Sequence, residues 1–239
     1  DKNNVFVRNG LPLAGKTYGI ADHSDYSIES LKIQDGAYHF DIKTPKEQIK
    51  NVVFNYPGKH NLLNGLVAFA MAYSQGYDKQ LLVEGLATFK GVERRFTYQI
   101  KTAGFVLIDD YAHHPTEINA VHEAITAMYP NEEVMAIFQP HLFSRTKDFV
   151  DDFAKSLSKF NKVRLLDIYP AREEPIEGVT SSWLLDKITT TDKKLINKEK
   201  IASEILESKV KIAVTIGAGD IGVEVPKIKQ KLTNEMALG

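Results

Sequence analysis

The chain has 239 residues, 43% of them hydrophobic, with 30 Lys and Arg against 31 Asp and Glu and no cysteine. That length suffices for two modest cores, and a formal net charge of -1 gives no general pull toward nucleic acid or an anionic membrane, so any anion site must be local. The missing cysteines exclude disulfides, thiolate metal sites and a cysteine nucleophile. The most apolar stretch, Leu62 to Tyr73, is broken by Asn64 and Gly65 and is too short to span a bilayer, and the opening Asp-Lys-Asn-Asn is no signal peptide. A cytoplasmic protein is expected, with no nucleic-acid and no membrane partner. A chain that opens without Met in what reads as mid-domain is expected to be a fragment.

Val5 to Phe54 carries short strand signals. Tyr38, Phe40 and Ile42 alternate with polar neighbours, and Gln34-Asp35-Gly36 separates that run from Ile28 to Ile33, which predicts an antiparallel hairpin. Gly10 to Thr17 satisfies G-x-x-x-x-G-K-[ST]. A phosphate loop must open a helix whose first amides point at the phosphates, whereas Tyr18-Gly19-Ile20-Ala21 has no helical period, so a loop leading into a strand is predicted. Asn61 to Gln75 reads as a helix apolar on nearly every side, hence buried. Asn61 and Asn64 share a face of its first turn, either as caps and core-satisfying amides or as ligand contacts. A second helix, Lys79 to Phe89, turns Leu82, Leu86 and Phe89 inward, and Gly91 ends it. Glu93-Arg94-Arg95-Phe96 then begins a second unit, with one arginine free to pair with neighbouring acids.

From there apolar runs at 105–108, 134–138, 163–166, 194–196 and 211–216 alternate with helical patterns at 116–129, 144–158, 182–188, 199–207 and 220–232. That rhythm predicts parallel strands with crossover helices. Asp109 to Glu117 falls between a buried strand and a helix opened by Pro115 and Glu117, and open α/β sheets place ligands at such turns. Adjacent His113 and His114 seldom converge on one ion and no third ligand is suitably spaced, so no metal site is expected. After the strand ending at Phe138, Ser144 is a plausible helix cap. Arg145 in that helix's first turn opposes the dipole, which favours a functional role. Asp167 to Gly178 is a charged, proline-containing connection with no assigned chemistry. Gly217-Ala-Gly219-Asp-Ile-Gly222 fits G-x-G-x-x-G, but the chain ends before the second strand and acidic ribose ligand of a dinucleotide fold, so a tight strand-to-helix turn is predicted.

Four strings, PGKHNLLNGLVAFAMA at 57–72, GVERRF at 91–96, DDYAHHPTEI at 109–118 and FQPHLFSRTKDF at 138–149, resemble the Mur ligase family, and within it the branch that adds L-alanine to UDP-N-acetylmuramate. The resemblance implies an α/β chain. Residues 1–92 would be part of the central ATP-binding domain, with antiparallel strands and buried helices, and 93–239 a Rossmann-like C-terminal, amino-acid-binding domain with a mostly parallel sheet. It implies an ATP-dependent amide-forming ligase of peptidoglycan synthesis: ATP phosphorylates the lactyl carboxylate, and the amine of L-alanine attacks the acyl phosphate. Asn61, Asn64, Arg95 and Asp110 would bind ATP. Tyr111, His113, His141 and Arg145 would surround the amino acid, with His113, His141 and Arg145 in the catalytic group. The phosphate loop and the ligands of Mg2+ would lie upstream, and domain closure would complete the nucleotide site. Several relatives carry a second arginine where this chain has Leu142. A murein-peptide recycling ligase shares the DD-x-AHHPT type of turn but usually lacks FQPH-x-x-SRT. A non-catalytic nucleotide-binding module is the alternative from another class.

Overall fold

In the computed structural model, which describes residues 15–20, 23–34 and 36–237, the chain divides into two units. They are Asp1–Gly91 with Ala127–Tyr129, and Val92–Thr126 with Pro130–Gly239. In the first unit, β1 (Tyr18–Ile20), β2 (Tyr26–Gln34), β3 (Ala37–Lys43) and β4 (Gln48–Phe54) form one sheet in that order. β1 runs parallel to β2 and the other pairs are antiparallel. Gln34 pairs with Ala37, so the hairpin stands where the Gln34-Asp35-Gly36 signal puts it, with Asp35 itself outside the described residues. Tyr38, Phe40 and Ile42 face the core, as their alternation requires.

Two helices cover this sheet, α1 (Lys59–Ser74) and α2 (Lys79–Thr88). The sequence marks α1 as buried on nearly every side. In the structure Leu62, Leu66, Phe69 and Ala70 are buried, whereas Met71 is 67% exposed. A single sheet covers only one stripe of a helix, whatever the other faces carry. α2 contains no fully buried residue: Leu82, Val83 and Leu86 are partly buried against the core. Phe89, just beyond it, is half-exposed and stacks on Phe54 with ring centroids 6.2 Å apart. Asp78 caps α2 by accepting from the amides of Gln80 and Leu81.

The phosphate-loop pattern ends in a strand. Gly10 to Ala14 lie outside the described residues. Of the rest, Thr17 donates its amide (2.8 Å) and its hydroxyl (3.0 Å) to Asp25, and Lys16 pairs with the same carboxylate at 3.3 Å. Those bonds draw the Asp25 carboxyl below its ordinary range. β1 follows directly, so no helix amino end is available there to receive a phosphate.

The second unit alternates strands and helices. It runs β5 (Thr97–Lys101), β6 (Val106–Asp110), α3 (Pro115–Met128), β7 (Val134–Phe138), α4 (Phe143–Asp148), α5 (Val150–Leu157) and β8 (Lys162–Leu165). It continues through α6 (Ser181–Lys187), β9 (Asp192–Leu195), a 3-10 turn at Lys198–Lys200, α7 (Ile201–Ser208), β10 (Ile212–Ile216) and α8 (Ile221–Ala237). The strand order is β5-β6-β10-β7-β8-β9. β5, for which the sequence gives no strand signal, is antiparallel to β6; every other pair is parallel. β6, β7 and β10 are buried along their whole length. That is why they read as unbroken apolar runs and not as alternating patterns.

Leu107, Met135, Ile137 and Ala213 pack with α7 and α8 through Ile201, Ile205, Ile221 and Ile228. Phe138 meets Phe153 of α5 at 5.5 Å between ring centroids. The helix expected over 144–158 is two helices, because Phe149 leaves helical geometry (φ -117°, ψ 19°) between α4 and α5. β10 lies between β6 and β7, and the helix that follows it packs on the face of Met135 and Ile137, whereas the helices that follow β7 pack on the face of Phe138. The connections from these adjacent strands therefore leave to opposite sides at the carboxyl edge of the sheet. Open α/β sheets take ligands at that kind of switch point.

Candidate active site

Three connections meet at that edge, after β6, β7 and β10, with a fourth from β8. The first differs from the sequence reading. Asp109 and Asp110 are not turn residues but the last two residues of β6, paired with Thr215 and Ile216 of β10, and only 1% and 7% exposed. Burial demands partners. Asp109 accepts from Arg94 Nε at 3.2 Å and from the Thr215 hydroxyl at 2.7 Å. Arg94 also donates to the Gly217 carbonyl, and the Tyr111 amide donates to the Arg94 carbonyl at 2.7 Å. Of the two adjacent arginines, Arg94 is thus the structural partner. Burial raises the Asp109 carboxyl, opposed by Thr215 and Arg94.

Asp110 uses both carboxylate oxygens on backbone, accepting from the amides of Phe96 and Ala112, each at 2.7 Å. Burial outweighs those bonds and lifts its pKa to about 6. Arg95 is exposed, with its guanidinium carbon 5.8 Å from the centre of the Tyr111 ring. Arg94 and Phe96 on either side of it have φ of 57° and 50°, a left-handed conformation that non-glycine residues hold only where surrounding bonds impose it.

Beyond β6 the turn is fixed by Glu117, which accepts from the amides of His113 (2.8 Å) and His114 (3.1 Å) at the amino end of α3. The two histidines part company. His114 bonds the Thr116 hydroxyl through Nδ1 at 2.8 Å and packs edge-on against Phe149 at 4.7 Å, which makes it a turn and packing residue. His113 Nδ1 lies 3.0 Å from the Tyr111 carbonyl. A carbonyl only accepts, so Nδ1 carries the hydrogen, and in the neutral ring Nε2 offers a lone pair. Among the described residues no group of three or more histidine, cysteine, aspartate or glutamate side chains is placed to hold a metal ion.

The second connection brings the amino-acid candidates together. The His113 ring stands 5.4 Å from Tyr111 and 6.2 Å from His141, and His141 stacks on Tyr169 at 5.7 Å. Arg145 approaches His141 Nδ1 through Nη1 at 3.3 Å. A guanidinium only donates, so His141 accepts at Nδ1 and keeps its hydrogen on Nε2. Burial, then the Arg145 charge, then His113 lower the His141 pKa and favour this neutral form. The cluster therefore sets a donor (His141 Nε2–H), an acceptor (His113 Nε2) and a planar cation (Arg145) around one locality. The first turn of α4 is unlike the sequence expectation: Ser144 does not cap it. Leu142 occupies the cap position with φ 73° and makes no side-chain cap bond, and Ser144 donates its amide (3.0 Å) and hydroxyl to Glu173 from the β8 connection.

The glycines after β10 are closed by the protein itself. A Cβ on Gly217 would lie 2.8 Å from the Gln139 carbonyl, one on Gly219 2.4 Å from Gln139 Oε1, and one on Gly222 2.3 Å from the guanidinium carbon of Arg94. Gln139 bridges the turn, accepting from the Ile221 amide at 2.8 Å and donating to Asp220 at 2.7 Å. G-x-G-x-x-G here is a packing pattern. Sequence reasoning missed Gln139, Tyr169 and Glu173, because a glutamine after a strand and acids in a polar loop look the same whether bound or solvated. In the first unit Asn61 donates to the Pro57 carbonyl at 2.6 Å, and Asn64 is exposed.

A parallel sheet with an antiparallel edge strand and polar clusters at its carboxyl edge is shared by many enzymes; comparison narrows the class. The family described as Mur ligase, glutamate ligase domain, matches residues 94–228, over half of the chain, and the chain belongs to the Mur ligase family. Among curated proteins, the UDP-N-acetylmuramate--L-alanine ligases of Christiangramia forsetii and Flavobacterium psychrophilum are each 57% identical to it, over 98% and 97% of this chain and 52% of each relative. The solved UDP-N-acetylmuramate-alanine ligase MurC of Thermotoga maritima matches with a TM-score of 0.76 at 24% identity, over 92% of this chain and 48% of that one, a likeness of fold. The chain spans about half the length of the curated relatives it matches.

Proposed function

We propose that this chain supplies the amino-acid-binding part, and a portion of the ATP-binding part, of a cytoplasmic ligase that joins L-alanine to UDP-N-acetylmuramate at the expense of ATP in peptidoglycan precursor synthesis. Residues 1–92 belong to the central domain and 93–239 to the C-terminal domain. One observation carries the reading: Arg145 lies against a neutral His141 beside His113 and Tyr111, at the sheet edge where α/β proteins take ligands. Arg145 receives the carboxylate of the amino acid, for which a guanidinium is the matched fork. His113 Nε2 takes a proton from its ammonium group, leaving the amine to attack an acyl phosphate on the lactyl carboxylate and expel phosphate. His141 Nε2–H and Tyr111 orient the reacting groups.

Asn61 and Asn64 contact the adenine, Arg95 the phosphates and Asp110 the ribose of ATP. Mg2+, which screens the phosphate charge in such reactions, has no ligand cluster among the described residues. Among those residues no helix is long and apolar enough to cross a membrane. The test is phosphate release by the full-length gene product given ATP, Mg2+, UDP-N-acetylmuramate and L-alanine. Release that requires both the sugar nucleotide and the amino acid is expected. Release indifferent to the amino acid would refute the reading.

A further inference from the structure

We infer that Glu173, in the connection after β8, is a positioning residue that holds Arg145 and His141 in the geometry needed to receive the amino-acid carboxylate. The inference rests on the reading of Arg145 given above. The local fold around Arg145 is weak. α4 spans six residues, follows Leu142 in the cap position with φ 73° and ψ 134°, and has neither a side-chain cap nor an acid of its own in the first turn. So short a helix has little stability of its own, and a leucine at positive φ in the cap position adds strain. Nothing within Phe143–Asp148 explains why Arg145 should keep one orientation.

The connection from β8 supplies what is missing. The Leu142 amide donates to the Tyr169 carbonyl at 2.9 Å, and the Tyr169 amide donates to the Pro140 carbonyl at 2.8 Å, so that His141 and Tyr169 form a parallel bridge with their rings stacked. Four residues on, Glu173 takes the Ser144 amide on one oxygen at 3.0 Å and the Ser144 hydroxyl on the other. It thus satisfies one of the open donors at the helix start and places a negative charge beside Arg145. The Ser144 bonds, with a smaller contribution from Arg145, draw its carboxyl below the ordinary range, so it is ionised at neutral pH. The strap acts on Arg145 through the adjacent residue. Glu173 spends its oxygens on Ser144 and not on the guanidinium, which is left for a ligand.

Two measurements test this, one independent of catalysis. In the 239-residue chain, 15N NMR of side chains reads the Arg145–His141 contact directly. Glu173→Ala is expected to shift the His141 ring and Arg145 guanidinium signals and to leave His122 unchanged. Ser144→Ala, which keeps the amide bond and the fold, should shift the same two signals by less. Unmoved His141 and Arg145 signals in Glu173→Ala would overturn the inference whether or not the enzyme proves to be a ligase. In the full-length gene product, Glu173→Ala should raise the KM for L-alanine about tenfold or more and change that for ATP less than about twofold. Glu173→Gln, which keeps one acceptor oxygen, should fall between it and wild type. Adding Ser144→Ala to Glu173→Ala should change little, since the hydroxyl's partner is already gone. Glu173→Gln as damaging as Glu173→Ala, with Ser144→Ala silent, would make Glu173 a direct ligand of the ammonium group and overturn the positioning role.

Discussion

The connections after β6 and β7 are both rich in ionisable residues, yet they spend them differently. After β6, the acids are committed to the protein: Asp109 to Arg94 and Thr215, Asp110 to the amides of Phe96 and Ala112, Glu117 to the amides of His113 and His114. After β7, Arg145 reaches the ring nitrogen of His141 at 3.3 Å and pairs with no carboxylate among the described residues. In the first connection the carboxylates accept from protein donors as a frame, while His113 keeps Nε2 open. The other holds its cation and imidazole ready for something else. A run of charged residues at a strand end is therefore not uniformly catalytic. What separates the two kinds is whether buried protein donors, backbone or side-chain, lie within reach, because a buried donor claims the nearest carboxylate.

The largest expected effect breaks the frame. Asp109→Ala leaves the Arg94 guanidinium, with a side chain only 22% exposed, without its counter-ion. It should destabilise the second unit by about 3–5 kcal/mol in denaturant melts. A loss below about 1 kcal/mol would mean that this carboxylate is not part of the frame.

The pH dependence of stability comes next. Asp110 has a folded pKa of about 6 against an ordinary 3.8, so between those values the folded state binds the extra proton. Its contribution is present in full below about pH 4 and is lost as pH rises toward 6, a fall on the order of 3 kcal/mol. Melts across that range should show the fall in wild type and lack it in Asp110→Asn. An equal slope in both would assign the titration to another group.

Arg145→Lys probes the other connection. It keeps the charge and loses the fork, so the KM for L-alanine should rise about 10- to 100-fold, with the ATP KM and the melting midpoint near wild type. Equal rises for both substrates would return Arg145 to the frame. The smallest effect belongs to His114→Ala. It removes a ring contact with Phe149 at 4.7 Å and should cost about 0.5–1.5 kcal/mol of stability without moving the L-alanine KM. A large KM change there would show that the two histidines share one task.

The sequence by itself located the parallel strands and most of the helices of the second unit. Continuous apolar runs mark β6, β7 and β10 because both faces of a parallel sheet are covered, and three- and four-residue spacing marks α3 and α8 because each has one buried stripe. The strings at 109–118 and 138–149 were enough to bring Tyr111, His113, His141 and Arg145 under suspicion. Periodicity is a local signal, and it failed where burial depended on partners distant in the chain. α1 looked buried on all sides and found one sheet to lie on. β5 lacked an apolar run because it is an edge strand, partly exposed. Asp109 and Asp110 read as turn residues and are the last two residues of the strand, since Arg94 and the Phe96 amide, about fifteen residues earlier, arrive to satisfy them. Only the tertiary structure decided that Arg94, not Arg95, is the buried partner, that the three glycines from Gly217 to Gly222 are closed by Gln139 and Arg94, and that Glu173 holds Ser144. Hydrogen bonds and close packing are satisfied in space, and no residue spacing along a chain records which distant group will meet a given donor.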